Sequence, residues 1–181
     1  MLPVIPIHSV IPMVPFYSQF TDIHSTQWQK VSCGIASLAM VIDYYSSDTI
    51  SADTILKQGI LSGAYNATYG WSHNGLITIS KKYGMEGKSY DVSTQTKDKS
   101  FSALQSFVAQ GPVIASVHYK LDPRSRIPHL IVIDGVSNGF VYYNDPAAKN
   151  GQNKISVVDF QKGWKKRFIV IRPNTQESPL V

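Results

Sequence analysis

The chain has 181 residues, 43% apolar and 16% charged, and its 17 Lys and Arg against 12 Asp and Glu leave a formal charge of +5. That length is one ordinary domain with room for an arm at each end, and the balance excludes a disordered, collagenous or coiled-coil chain. No apolar run approaches the roughly 18 residues of a membrane-spanning helix, which predicts a soluble chain with no membrane span, and the mostly scattered positive charge argues against nucleic acid as a partner.

In chain order, residues 1–13, MLPVIPIHSVIPM, carry Pro3, Pro6 and Pro12, with Pro15 just beyond. That density forbids a helix and predicts an extended arm, laid over the domain as a brace or a cleft cover. No basic n-region or small-residue cleavage site marks a secretory signal. The expectation is a cytoplasmic protein if the chain is complete, and an extracytoplasmic one if a leader has been removed. The run CGIASLAMVIDYY, residues 33–45, spaces Ile35, Leu38, Ala39, Ile42 and Tyr45 as a helix does, with Ser32 as N-cap. Ser51 opens a second helix, ended by Gly59. A third runs from Ser72 to Tyr83 with Gly84 as its stop. A fourth spans Phe101 to Gln110 and is terminated by Gly111-Pro112. The period then falls to two. PVIASVHY, HLIVIDGV and GFVYYND read as strands, the last two joined through Ser137-Asn138-Gly139, and KISVVDF and RFIVIRP supply two more. Helices first and an antiparallel sheet afterwards predict an α+β fold over residues 14–172, with a frayed, disordered tail at 173–181.

One cysteine excludes an internal disulfide and a zinc site built on paired thiolates. Cys33 opens the strongest predicted helix, where unpaired N–H groups and the macrodipole favour a negative sulfur. Gly34 beside it leaves room for a substrate backbone; a buried structural thiol is the alternative. His129 begins the strand HLIVIDGV, after Pro128, and Asp145 follows GFVYYN sixteen residues later. A short turn between two antiparallel strands brings their outer ends together, so the carboxylate is expected beside the imidazole, orienting it. Asn144 is the alternative orienter and Asp134 a weaker rival. An oxyanion hole needs a further donor. Gln27, six residues before Cys33, and Gln19, fourteen before, both qualify, and spacing does not choose between them.

Other signals carry less. Gly135 to Gly139 matches G-x-S-x-G, but a strand follows it and no histidine comes after His129, so a serine-hydrolase elbow is rejected. His8, His24, His73 and His118 show no metal-ligand spacing, and His24 is expected at the surface. Trp71-Ser72-His73-Asn74-Gly75 is either a groove-lining loop or a surface turn. Trp28 is expected to pack under the helix of Cys33. Lys162, Lys165, Lys166 and Arg167, interleaved with Trp164 and Phe168, read as a solvated edge rather than a phosphate-binding patch.

Taken together, QWQKVSCGIASLAMVIDYY, HLIVIDGV and YYNDPA resemble the papain-like bacteriocin-processing cysteine peptidases, the leader-cutting domains of peptide exporters and their stand-alone relatives. The resemblance covers about Val14 to Arg172. It implies a papain-like fold and a cysteine peptidase acting on a peptide or protein substrate through an S-acyl enzyme, without metal or other cofactor. It also implies Cys33 as nucleophile, His129 as base, Asp145 as orienter and Gln27 as oxyanion support, with cleavage after small residues, often Gly-Gly. The arm and the stretch from Gly84 to Gly111 match no motif of that family. An acyltransferase or amide hydrolase of the same fold uses the same intermediate, and a peptide-binding module without catalysis is the non-enzyme alternative.

Overall fold

Nine consecutive residues of one helix, Gly34 to Ile42, are buried, which no single apolar stripe can achieve; other elements must wrap the helix on all sides. The computed structural model describes residues 11–174 and shows how. Residues 1–10 of the expected arm and 175–181 of the expected tail lie outside the described residues. A single turn, α1 (Thr26–Gln29), leads into the buried helix, α2 (Cys33–Tyr45). Against α2 lie α3 (Ala52–Leu61), a small hairpin of β1 (Tyr65–Asn66) and β2 (Gly70–Trp71), and α4 (His73–Ser80). Helix α4 tightens into a 3-10 turn over Lys81–Tyr83 and stops at Gly84, whose φ of 68° suits glycine.

The remaining elements are β3 (Met85–Asp91), α5 (Lys97–Val108), β4 (Val113–His118), β5 (Pro128–Ser137), β6 (Phe140–Asn144), β7 (Asn153–Ser156), α6 (Val157–Gly163) and β8 (Trp164–Pro173). Six of the strands form one antiparallel sheet in the order β3-β8-β4-β5-β6-β7. Successive residues point to opposite faces. Ile114, Leu130, Val132 and Ile169 pack towards α2, α3 and α4. Val113, Ala115, Ile131, Ile133 and Phe168 pack with Leu104 of α5 and Phe160 of α6. The central strands are therefore apolar on both faces, which is why HLIVI has no polar alternation. The α+β expectation holds, with the sheet held between two helical layers.

Several local expectations differ from the structure. Gly59 lies inside α3 instead of ending it. A Cβ there would stand 2.6 Å from Cζ3 of Trp71, and one on Gly34 would stand 2.8 Å from the Trp71 Cβ. The two glycines form the slot that holds this indole between α2 and α3. The space beside Gly34 is thus filled by Trp71 rather than left open. Helix α5 starts at Lys97, four residues before the expected Phe101, because the Thr96 hydroxyl accepts from the Lys99 N–H. The stretch VVDF is helical: the Ser156 hydroxyl caps Asp159 and ends the strand at Ser156. Strand β3, MEGKSYD, escapes sequence reading because Met85 alone is buried in it; pairing with β8 makes it a strand. Replacing Gly59 by Ala, a change that favours an ordinary helix interior by about 1 kcal/mol, should here destabilise the protein by roughly 1–3 kcal/mol through overpacking. Urea unfolding of Gly59→Ala, with and without Trp71→Leu, checks this: the smaller residue at 71 should restore the usual sign.

Candidate active site

Packing delivers the tip of α2 to the edge of the sheet. The Ser37 hydroxyl donates to the Leu130 carbonyl at 3.3 Å, tying α2 to the residue beside His129. The Trp71 indole N–H donates to the Val31 carbonyl at 2.7 Å and fixes the approach to Cys33. Ser32 occupies the N-cap position, but its hydroxyl donates to the Trp28 carbonyl at 2.8 Å and no side chain caps the helix. The first-turn N–H groups therefore keep their pull on a negative group. Trp28 packs edge-on to Tyr65, ring centroids 5.0 Å apart, and 6.0 Å from Trp71.

His129 is 4% exposed. Its Nε2 lies 2.6 Å from Asp145 Oδ1, and the same oxygen accepts the Ala147 N–H at 2.8 Å. The strand ends are not flush. Asn144 pairs with Val132, three residues inside His129, and the turn after β6 carries Asp145 back along the edge of β5 to reach the ring. Tyr119 stands edge-on to the imidazole at 5.2 Å. Burial disfavours the imidazolium, but hydrogen bonds to Asp145 and to the Cys33 thiol, with the charges of both, outweigh it and push the His129 pKa up to about 9.

Cys33 and His129 share a cleft of about 820 Å³ with Gln19, Tyr65 and Trp71. Gln19 is 3% exposed. Its backbone N–H donates to the Pro146 carbonyl at 2.9 Å, tying it to the turn of Asp145. Its Nε2 donates to the Gln29 carbonyl at 2.8 Å, leaving one amide hydrogen uncommitted. Gln27 is elsewhere: it is exposed on α1 and does not line the cleft. Cys33, His129, Asp145 and Gln19 thus come together, and Gln27 does not join them.

The rival carboxylate and amide are engaged with each other. Asn144 donates to Asp134 at 2.9 Å and accepts the Gln152 N–H at 2.7 Å. Asp134 is the extra residue of a bulge in β5; burial raises its pKa to about 7 against the opposing Asn144 hydrogen bond. His24 pairs with Asp53 at the surface. The loop at Trp71 does line the cleft, bringing His73 with it. Sequence reading missed Ser116, Tyr119, Arg126, Lys165 and Arg167, which also line it. Ser116 lies on β4 and Lys165 and Arg167 on β8, while Tyr119 and Arg126 lie in the connection from β4 to β5; the strands were visible in the sequence, but not that one end of them borders a cleft. Among the described residues no group of three or more His, Cys, Asp and Glu forms a metal site, and no helix is long and apolar enough to cross a membrane.

Comparison with known proteins gives the family and the fold. The model of the Peptidase_C39 like family matches residues 11–171. The chain belongs to that family. It is accordingly a cysteine peptidase of papain-like fold. It is 26% identical over 157 residues to the pediocin PA-1 transport/processing ATP-binding protein PedD of Pediococcus acidilactici; the match takes in 87% of this chain and 19% of PedD. Among solved structures, the double glycine motif protease from an AMS/PCAT transporter, in complex with the leader peptide, superposes with a TM-score of 0.63 at 22% identity, covering 92% of this chain and 96% of that one. A putative C39-like peptidase from Bacillus anthracis gives 0.63 at 19% identity, covering 89% and 96%.

Titration of this Peptidase_C39 like protein should expose its buried acid. Asp134 is protonated more readily folded than unfolded, so its stabilising contribution is full below about pH 4 and is lost as pH rises to about 7. Across that window the loss amounts to a few kcal/mol. Unfolding free energies measured from pH 4 to 8 should therefore show a downward component that Asp134→Asn removes.

Proposed function

We propose that the cleft cleaves peptides with Cys33 as nucleophile, His129 as general base and then acid, and Asp145 as the group that orients His129. The observation that carries this reading is the buried His129, with Asp145 at 2.6 Å behind it and the Cys33 thiol in front. Nε2 is taken by Asp145, so Nδ1 is the nitrogen that serves the thiol. With Nδ1 of the imidazolium already holding the thiol's proton, the sulfur attacks the scissile carbonyl carbon. The tetrahedral oxyanion then collapses to an S-acyl enzyme as His129 returns that proton to the leaving amine. Water, deprotonated by His129, attacks the thioester carbonyl and releases the acid with the sulfur as leaving group.

Gln19, rather than Gln27, is the side chain that supports the oxyanion, together with the Cys33 N–H. Its burial in the cleft wall and its tie to the turn of Asp145 support this, as does the outward position of Gln27. The substrate we assign is a peptide with a small residue, glycine foremost, on the acyl side of the bond. Trp71, packed against Gly34 beside the sulfur, leaves little width there, and the transporter protease of similar fold is a double glycine motif protease.

Iodoacetamide alkylation followed against pH tests the dyad directly. Cys33 should react fast at pH 6, and His129→Ala should slow it roughly tenfold or more at that pH; equal rates in the two proteins would remove the catalytic assignment. On a Gly-Gly peptide, Cys33→Ala should abolish turnover. Gln19→Ala should cost roughly 10²–10³ in kcat, whereas Gln27→Ala should leave kcat within about a factor of two, as a surface change does.

A further inference from the structure

The charged side chains lining the cleft are Lys30, Arg126, Lys165 and Arg167, with no carboxylate among them. Two of these sit on a built feature. Along β4, Val117 pairs with Trp164 and the next residue inward, Ser116, pairs with Arg167. Strand β8 thus inserts Lys165 and Lys166 where its partner inserts nothing. Lys166 takes a φ of 56°, unfavourable for a residue with a side chain, and its ammonium donates to the Gln95 carbonyl at 3.0 Å. The bulge aims Lys165 and Arg167 into the cleft.

Lys165 has no hydrogen bond or ion pair among the described residues, although it is only partly exposed. Burial and the neighbouring Arg167 both push its pKa down. Arg167 shares its charge with Asp91 at 3.3 Å, a pair half-open to solvent. Beside them the Ser116 hydroxyl is held by His73 Nε2 at 2.8 Å, and His73 Nδ1 is anchored on Ser89 Oγ at 2.7 Å. Lys165 without a counter-charge, Arg167 with its charge only partly met by Asp91 at the rim, and an oriented hydroxyl are together poised for an anion.

We infer that this corner of the cleft is a subsite for a carboxylate of the peptide substrate, bound by Lys165, Arg167 and Ser116. The inference rests on the peptidase reading above and adds a sequence preference to it. Strand β8 lies two places from β5 in the sheet, about 10 Å from the strand of His129 at the usual strand spacing. An extended peptide covers that distance in about three residues. The carboxylate is then an Asp or Glu side chain two to four residues from the scissile bond, or the terminal carboxylate of a chain ending there.

The probes are twelve-residue peptides with a central Gly-Gly, acetylated and amidated, carrying Glu, Gln or Lys at each of positions two to four from the scissile bond on either side. Matched peptides without acidic side chains, ending in a free acid or an amide, separate the terminal source from the side-chain source. Wild-type protein should prefer Glu to Gln roughly tenfold in kcat/KM at one of these positions, or free acid to amide by a similar factor, the size of one charge-assisted contact. Lys165→Ala should bring that ratio close to one, and Lys165→Glu should turn the preference towards Lys. Alkylation of Cys33 by iodoacetamide should stay unchanged in both variants. Cleavage of Glu and Gln peptides, and of acids and amides, within a factor of two throughout would overturn the subsite while leaving the peptidase intact. Fluorescence anisotropy of the same peptides on Cys33→Ala protein reads the subsite without turnover. There, a Glu preference lost in the Cys33→Ala/Lys165→Ala double variant upholds the subsite, and equal binding overturns it. Absence of cleavage by the wild type strikes the peptidase reading alone.

Discussion

Burial of α2 on every side is the constraint from which the geometry of the site follows. A helix with one apolar stripe can roll on its support; one whose residues 34–42 are all buried is held in rotation and in translation. Its contacts are specific. Trp71 fills the slot made by Gly34 and Gly59, and the Ser37 hydroxyl reaches the backbone of Leu130. Both ends of α2 are only partly buried; at the end that carries Cys33, the hydroxyl of Ser32 is turned to Trp28. Positioning of this kind costs nothing at the moment of reaction, because folding has already fixed it.

The hairpin of β5 and β6 places two carboxylates in one supersecondary unit and gives them opposite surroundings. Asp134, pushed inward by a bulge, meets only the amide of Asn144, and one of its oxygens has no hydrogen-bond partner in the structure. Without a cation nearby, burial drives it towards the neutral acid. Asp145 meets an imidazole whose proton it helps to hold up to about pH 9. The difference lies in what each faces, and it explains why Asp145, not Asp134, is the carboxylate we propose as the orienting group.

Much of this was legible in the sequence. CGIASLAMVIDYY marks a buried helix, and HLIVIDGV and GFVYYND mark a hairpin whose ends bring a histidine and an aspartate together, because those patterns are set by local periodicity and turn residues. What was not legible depends on distant partners. Strand β3 exists through β8. Gly59 sits in mid-helix because Trp71 needs its space. Gln19 reaches the cleft and Gln27 does not, because residues 20–32 form a loop and one short turn in which sequence separation from Cys33 bears no relation to distance. The basic run from Lys162 to Arg167 read as a solvated edge, since nothing in the pattern announces a bulge at Lys165 and Lys166.

That bulge gives the formal charge of +5 a local meaning. On one side of the imidazole, the turn after β6 supplies Asp145, set behind the ring and away from the cleft wall. On the other, β4 and β8 present Ser116, Lys165 and Arg167 to the space a peptide would occupy. The Asp145 carboxylate faces the protonated base and Lys165 faces the cleft, so these two charges are kept apart and do not neutralise each other. A field ordered in this way favours negative charge wherever the reaction generates it: on the sulfur, on the carbonyl oxygen, and on the acid that leaves the enzyme. With the carboxylate subsite inferred above, the same field also sets a direction for the substrate. A peptide whose acidic end lies over β8 completes the charge pattern, and the reversed peptide leaves Lys165 without a partner.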